Sequence, residues 1–232
     1  MGAQAPKVLL LLEGRPLLAY VIDAVRQAGA SRTVVVVGAG REQVVERFSG
    51  QGLEFAVQAE QKGTADAVLA CRGLVADDEE CIVVYGDVPL MSGRTVRRLV
   101  EARRETQADV AVLTAILDDP SGYGRIIRGP GDIIEQIVEE RDADDRTRRI
   151  REVNSGFSAF VWGRMRAALE HVGPSPVSGE YYLTDAVREI RADGGRVAAV
   201  LMDDAREMLG ANTPEQMEIV RKLVRRRARG ES

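Results

Sequence analysis

A chain of 232 residues with 45% hydrophobic and 29% charged residues can bury a substantial core and has an ordinary globular composition. Its net charge of -4 gives no basis for a nucleic-acid-binding surface, and no apolar run reaches membrane-spanning length, since the run 8–12 is stopped by Glu13-Gly14. The two cysteines, Cys71 and Cys81, have neither metal-site nor disulfide-framework spacing, and the first residues lack a signal-peptide pattern, so a reducing cytoplasm with both thiols packed as small hydrophobes is expected.

In chain order, Pro6-Lys7-Val8-Leu9 places a lysine at the entry to an apolar strand or helix. Leu17, Leu18, Val21, Ile22 and Val25 recur at helical spacing after Pro16, with Gly29 as the stop. Residues 34–37 read as a buried strand, 42–48 as a short helix, 54–58 as a strand and 64–74 as a helix. The run 81–85, β-branched and bounded by Gly86 and Pro89, predicts a buried strand of a parallel sheet. Ser92 caps a helix that runs to Thr106. This alternation predicts a Rossmann-like, doubly wound mixed α/β sheet.

After a strand at 110–114 the rhythm changes. Gly122, Gly124, Gly129 and Gly131 punctuate short strands near Arg125 and Ile133, which predicts a small β lobe over about 115–155. The charge run 139–146 has the composition of a solvated loop. Residues 157–162 and 197–202 read as strands and 183–190 as a helix. The segment 213–227 starts with Thr-Pro-Glu and ends in a basic turn, as the helix dipole favours. One domain over 1–212 followed by a C-terminal helix in 213–232 is the expected organisation.

Polar residues stand at several strand ends. Asp87 follows the apolar run 81–85 and reads either as an Asx turn or as a ligand for a phosphate-bound cation. Lys7 is a surface lysine or a phosphate contact. Gln58, Gly63 and Thr64 leave a strand and open a helix, which gives a capped turn or a set of donors and acceptors for a nucleotide. Gly124, Glu139 and Asn154 belong to hairpin turns or to a pocket that hydrogen-bonds sugar hydroxyls. The segment from Tyr181 to Thr184 is richer in polar and aromatic groups than capping requires. Asn212 reads as a helix start or as a second cation ligand beside Asp87.

Together these motifs resemble the N-acetylglucosamine-1-phosphate uridylyltransferase domain of the bifunctional GlmU family. The resemblance runs from Pro6-Lys7-Val8-Leu9 through Gln58-Ala59-Glu60-Gln61, Tyr85-Gly86-Asp87-Val88-Pro89-Leu90, Gly122-Tyr123-Gly124-Arg125 and Asn154-Ser155-Gly156 to Gly210-Ala211-Asn212. It implies a nucleotidyltransferase fold of the GT-A-like type and the formation of UDP-N-acetylglucosamine and pyrophosphate from UTP and N-acetylglucosamine 1-phosphate. It further implies Mg²⁺ held by Asp87 and Asn212, and Lys7 on the phosphates. Gln58, Gly63 and Thr64 fall on the uridine end, and Gly124, Glu139, Asn154, Tyr181 and Thr184 around the sugar. No general base is required, and the sole histidine, His171, is given no role. Other sugar phosphates or nucleoside triphosphates, and a catalytically silent nucleotide-sugar binding module, are the alternative readings.

Two departures accompany the resemblance. The family opens with a strand and a glycine-rich loop of the form Leu-x-x-Gly-x-Gly-Thr-x-Met, and neither stands before Pro6 here, so the expectation is that residues upstream of Met1 belong to the natural protein. The family also continues into a left-handed β-helix acetyltransferase domain, for which this sequence has no counterpart.

Overall fold

The apolar runs assemble into a mixed sheet covered by helices on both faces. The computed structural model describes residues 6–229. The chain opens with a single 3-10 turn, Lys7–Leu9, then a two-residue hairpin of β1 (Leu11–Leu12) and β2 (Arg15–Pro16), and α1 (Leu17–Gln27). There follow β3 (Val34–Val37), α2 (Arg41–Phe48), β4 (Glu54–Val57), α3 (Thr64–Leu69), β5 (Glu80–Val83), α4 (Gly93–Thr106) and β6 (Val110–Ile116). The hairpin β7 (Arg125–Arg128) and β8 (Ile134–Val138) leads through α5 (Asp145–Arg148) to the long strand β9 (Glu152–Val161). The chain then forms α6 (Trp162–Leu169), α7 (Asp185–Ala192), β10 (Val197–Leu201) and α8 (Pro214–Ala228).

Strand order in the main sheet is β10-β6-β9-β7-β8, and β5 also pairs with β9, on the side opposite β6. β10 and β6 are parallel, whereas β9 is antiparallel to both β6 and β5. The mixed sheet is as expected, but the parallel pairing expected for the run 81–85 is corrected. β5 ends at Val83, its only strand partner among the described residues is antiparallel, and it points the same way as β6 because both oppose β9. Strands β3 and β4 form a separate parallel pair.

Alternation along β6 divides the core. Val110 and Val112 face a cluster with Phe160, Met165 and Ile190, while Ala111, Leu113 and Ala115 face Val21, Val25, Val96 and Leu99 of α1 and α4. Element boundaries also differ from expectation, most clearly in two elements. The helix expected over 64–74 stops at Leu69 and gives way to tight turns through Cys71 and Gly73, residues with weak helical preference. Strand β9 starts at Glu152 instead of 157, and Trp162 opens a helix.

That early start depends on a bulge. Pairing between β6 and β9 shifts register between Val112 and Thr114, opposite Asn154-Ser155-Gly156. The Ser155 hydroxyl donates to the Leu113 carbonyl at 2.7 Å and accepts from the Phe157 amide at 3.2 Å, so the side chain satisfies groups that the ladder leaves free. Gly156 supplies the left-handed turn with φ +85°. No helix among the described residues is long and apolar enough to cross a membrane.

Leu113 is 1% exposed at the centre of this arrangement. Leu113→Ala is expected to cost about 3 kcal/mol, read as a lower urea midpoint with unchanged slope.

Candidate active site

Three residues far apart in sequence meet at one corner. Asp87 follows β5, and buried Val88 and Leu90 fix the chain behind it. Its carbonyl accepts from the Ala211 amide at 3.1 Å, which brings the segment before α8 alongside. Asn212 is held by the start of that helix: its amide donates to Gln216 Oε1 at 2.8 Å, and Thr213 and Gln216 complete a capping box. Lys7 sits on the opening 3-10 turn, with Pro6 against Gly40 and Val8 against Gly86. Its ammonium donates to both Asp87 Oδ2 and Asn212 Oδ1.

The two oxygens therefore converge on one positive charge. A carboxylate and an amide oxygen are hard donors, and among the described residues no group of three or more His, Cys, Asp or Glu supplies an alternative centre. The pair suits Mg²⁺, which is commonly held by one or two protein oxygens together with substrate phosphates and water.

Beside this corner, residues 58–64 are laced to 181–183. Gly63 has φ +126°, and a side chain there would collide with the Tyr181 backbone. The Tyr181 amide donates to the Lys62 carbonyl at 2.8 Å, the Ala65 amide to the Tyr181 carbonyl at 2.9 Å, and the Leu183 amide to Thr64 Oγ1 at 2.9 Å. Thr64 thus ties two segments together instead of capping its own helix. Gln58 Nε2 donates to the Gly63 carbonyl at 3.0 Å and to Asp66 Oδ2 at 2.9 Å, which occupies both of its amide hydrogens and leaves Oε1 as its free acceptor.

The third cluster contains Gly124, Glu139, Asn154 and Thr184. Thr184 Oγ1 donates to Glu139 Oε1 at 2.8 Å, the Asn154 amide to the Gly124 carbonyl at 2.8 Å, and the Gly156 amide to Asn154 Oδ1 at 3.0 Å. A Cβ on Gly124 would lie 3.3 Å from Glu139 Oε1, so the two residues face one another across the β7–β8 hairpin. Burial pushes the Glu139 carboxyl up, Thr184 opposes that shift, and the Asp185, Asp142 and Glu180 charges add to it. Tyr181 is the exception within the expected sugar set. Its ring packs on the core beside α3, and its hydrogen bonds run to residues 62–65 instead of to Glu139 or Asn154.

Two further residues, Tyr85 and Arg125, hold the site together. The Tyr85 ring lies over Gly156, where any Cβ would overlap it, and so links the cation corner to the β9 bulge. Burial and then the neighbouring Glu139 and Asp87 carboxylates push its phenol up to about 12. Its position at the end of a buried run, two residues before Asp87, was the available signal. Arg125 is 1% exposed, and its Nη2 donates to Glu140 Oε2 at 2.7 Å, which also accepts from the Gly122 amide at 3.1 Å. This pair clamps the hairpin ends that carry Gly124 and Glu139. No sequence signal separates a buried arginine from a solvated one.

A family model described as the MobA-like NTP transferase domain matches residues 1–204. A bifunctional protein GlmU from Caldanaerobacter subterraneus subsp. tengcongensis is 39% identical over 227 residues, covering 98% of this chain and 49% of that protein. A protein of the same name from Cutibacterium acnes is 43% identical over 239 residues, covering 98% and 56% respectively. The chain spans about half the length of the curated relatives it matches. A solved UDP-glucose pyrophosphorylase complexed with UDP-glucose shares the fold, with a TM-score of 0.77 at 16% identity over 96% of this chain and 91% of that one. The resemblance to the GlmU family and the doubly wound α/β expectation are borne out.

The raised Glu139 pKa has a definite sign. Above the ordinary glutamate pKa the unfolded chain has released a proton that the folded chain still holds, so stability falls as pH rises through the folded value. Glu139→Gln keeps the Thr184 hydrogen bond without the charge. It is expected to raise the Tm at neutral pH and to leave it unchanged below the usual carboxylate range, as measured by thermal scans across pH.

Proposed function

The chain belongs to the MobA-like NTP transferase family, and on that premise we propose that it forms UDP-N-acetylglucosamine and pyrophosphate from UTP and N-acetylglucosamine 1-phosphate. The observation that carries the reading is the convergence of Lys7, Asp87 and Asn212 on one point, with the Tyr85 ring joining that point to Glu139 and Asn154.

In this reading a phosphate oxygen of the sugar 1-phosphate attacks the α-phosphorus of UTP. The new P–O bond forms as the bond to the β-phosphate breaks, and pyrophosphate leaves with that electron pair. Asp87 and Asn212 would hold Mg²⁺, which when bound neutralises phosphate charge. Lys7 transfers its ammonium from these oxygens to the phosphates and offsets charge on the transferring group. Gln58 presents Oε1 to an imide N–H such as that of uracil; cytosine, whose corresponding nitrogen is an acceptor, is disfavoured. Glu139, Asn154 and the Gly124 backbone orient the sugar hydroxyls, while Thr184 holds the Glu139 carboxylate. Positioning and charge stabilisation supply the rate, so a dedicated base is unnecessary.

Pyrophosphate release from a panel of nucleoside triphosphates and sugar 1-phosphates tests the assignment. UTP with N-acetylglucosamine 1-phosphate is expected to give the highest kcat/KM, and a wide preference for glucose 1-phosphate or another triphosphate would replace it. Asp87→Ala is expected to lower turnover by roughly 100-fold or more with little loss of Tm. Full Mg²⁺-dependent turnover in that variant would refute the role. Asn154→Ala should raise KM for the sugar phosphate and leave KM for UTP unchanged.

A further inference from the structure

Gln58 stands half-buried just after β4, and its backbone remains in the ladder with β3, its amide donating to the Val37 carbonyl at 2.9 Å. Its side chain lines the same cavity as Lys7, Gly63 and Thr64. A glutamine amide can turn either end toward a ligand, and the two orientations exchange an acceptor for a pair of donors. Which end faces the cavity is decided by the groups behind it.

Both hydrogens of Nε2 are taken by acceptors, the Gly63 carbonyl at 3.0 Å and Asp66 Oδ2 at 2.9 Å. Turning the amide over would lose both bonds and set Oε1 against a carbonyl and a full negative charge. The carboxylate is the stronger hold, because a hydrogen bond to an ionised acceptor is roughly twice as strong as one between neutral groups. Asp66 is the third residue of α3, where an acid commonly reaches back to the amide that starts the helix. Here its Oδ2 accepts from a side chain eight residues upstream. The backbone that carries it is fixed, since the Ala65 amide donates to the Tyr181 carbonyl at 2.9 Å. Asp66 is not among the residues that line the cavity, so whatever it does to a ligand there it does through Gln58.

We infer that Asp66 is a positioning residue for base selection, which locks Gln58 with Oε1 toward the nucleotide. The inference rests on the uridine assignment proposed above and names the residue that enforces it. A base whose ring nitrogen carries hydrogen finds an acceptor already in place. Cytosine presents an acceptor nitrogen to that oxygen, and the mismatch is relieved only if the amide turns over, which Asp66 opposes.

Binding of UTP and CTP to the 232-residue chain is measured by titration calorimetry with Mg²⁺ and without sugar phosphate, so that no turnover occurs. The unaltered chain is expected to prefer UTP, and Asp66→Ala to reduce that preference about tenfold by weakening UTP and strengthening CTP. Asp66→Asn, closest in shape and with Oδ1 still able to accept from Nε2, is expected to restore most of it. In a Gln58→Ala chain the preference is already lost, and adding Asp66→Ala should change nothing further. Without nucleotide, exchange of the Gln58 side-chain amide hydrogens followed by NMR should quicken about tenfold in Asp66→Ala. An unchanged UTP preference in Asp66→Ala, an effect that persists in the Gln58→Ala background, or unchanged amide exchange would overturn the inference and leave the uridine assignment standing. Equal binding of UTP and CTP by the unaltered chain, or a preference indifferent to Gln58→Ala, would overturn both.

Discussion

Strand β9 is the element on which the others depend. Its backbone pairs with β5 and β7 and, through most of its length, with β6, and its residues from Ser155 to Phe160 are buried. A slip of one residue would turn Phe157 and Phe160 onto the wrong faces. The irregularity it carries against β6, at Asn154-Ser155-Gly156, is satisfied locally by the Ser155 hydroxyl, so pairing with β6 resumes beyond the bulge in a shifted register. The bulge also brings Gly156 under the Tyr85 ring. Packing and site geometry thus share the same three residues.

The site handles charge in two ways. At the cation corner, a carboxylate and an amide oxygen face an ammonium with access to solvent, an arrangement that can exchange one positive group for another at modest cost. Around Glu139 the opposite holds, because burial and nearby acids work against its ionisation. That carboxylate is held ready to accept hydrogen bonds, and a bound hydroxyl relieves part of what burial costs it. His171 is bonded to the Ala167 carbonyl at an exposed helix end, so the local charge pattern is set by carboxylates and lysine.

Much of this was legible in the sequence where the signal is local. Helices α1, α4 and α8 announced themselves by apolar period and by caps: Ser92 accepts from the Thr95 amide, and Thr213 forms a box with Gln216. Motif order along the chain was enough to group Lys7, Asp87 and Asn212. Strand direction was not legible, because an apolar β-branched run reads alike whether its neighbour is parallel or antiparallel. Asn154-Ser155-Gly156 has turn composition and lies in a strand, since a side-chain hydroxyl replaces the ladder there. The charge run beginning at Glu139 reads as a solvated loop, yet Glu139 is half-buried and Glu140 holds a buried arginine, and both depend on contacts distant in sequence.

The capping box of α8 has a mechanical consequence. Asp87 is anchored to the sheet through β5, whereas Asn212 takes its position from the first turn of the last helix. Strain along α8 is therefore felt first at Asn212, and the distance between its side-chain oxygen and that of Asp87 becomes a gauge of tension in the final helix.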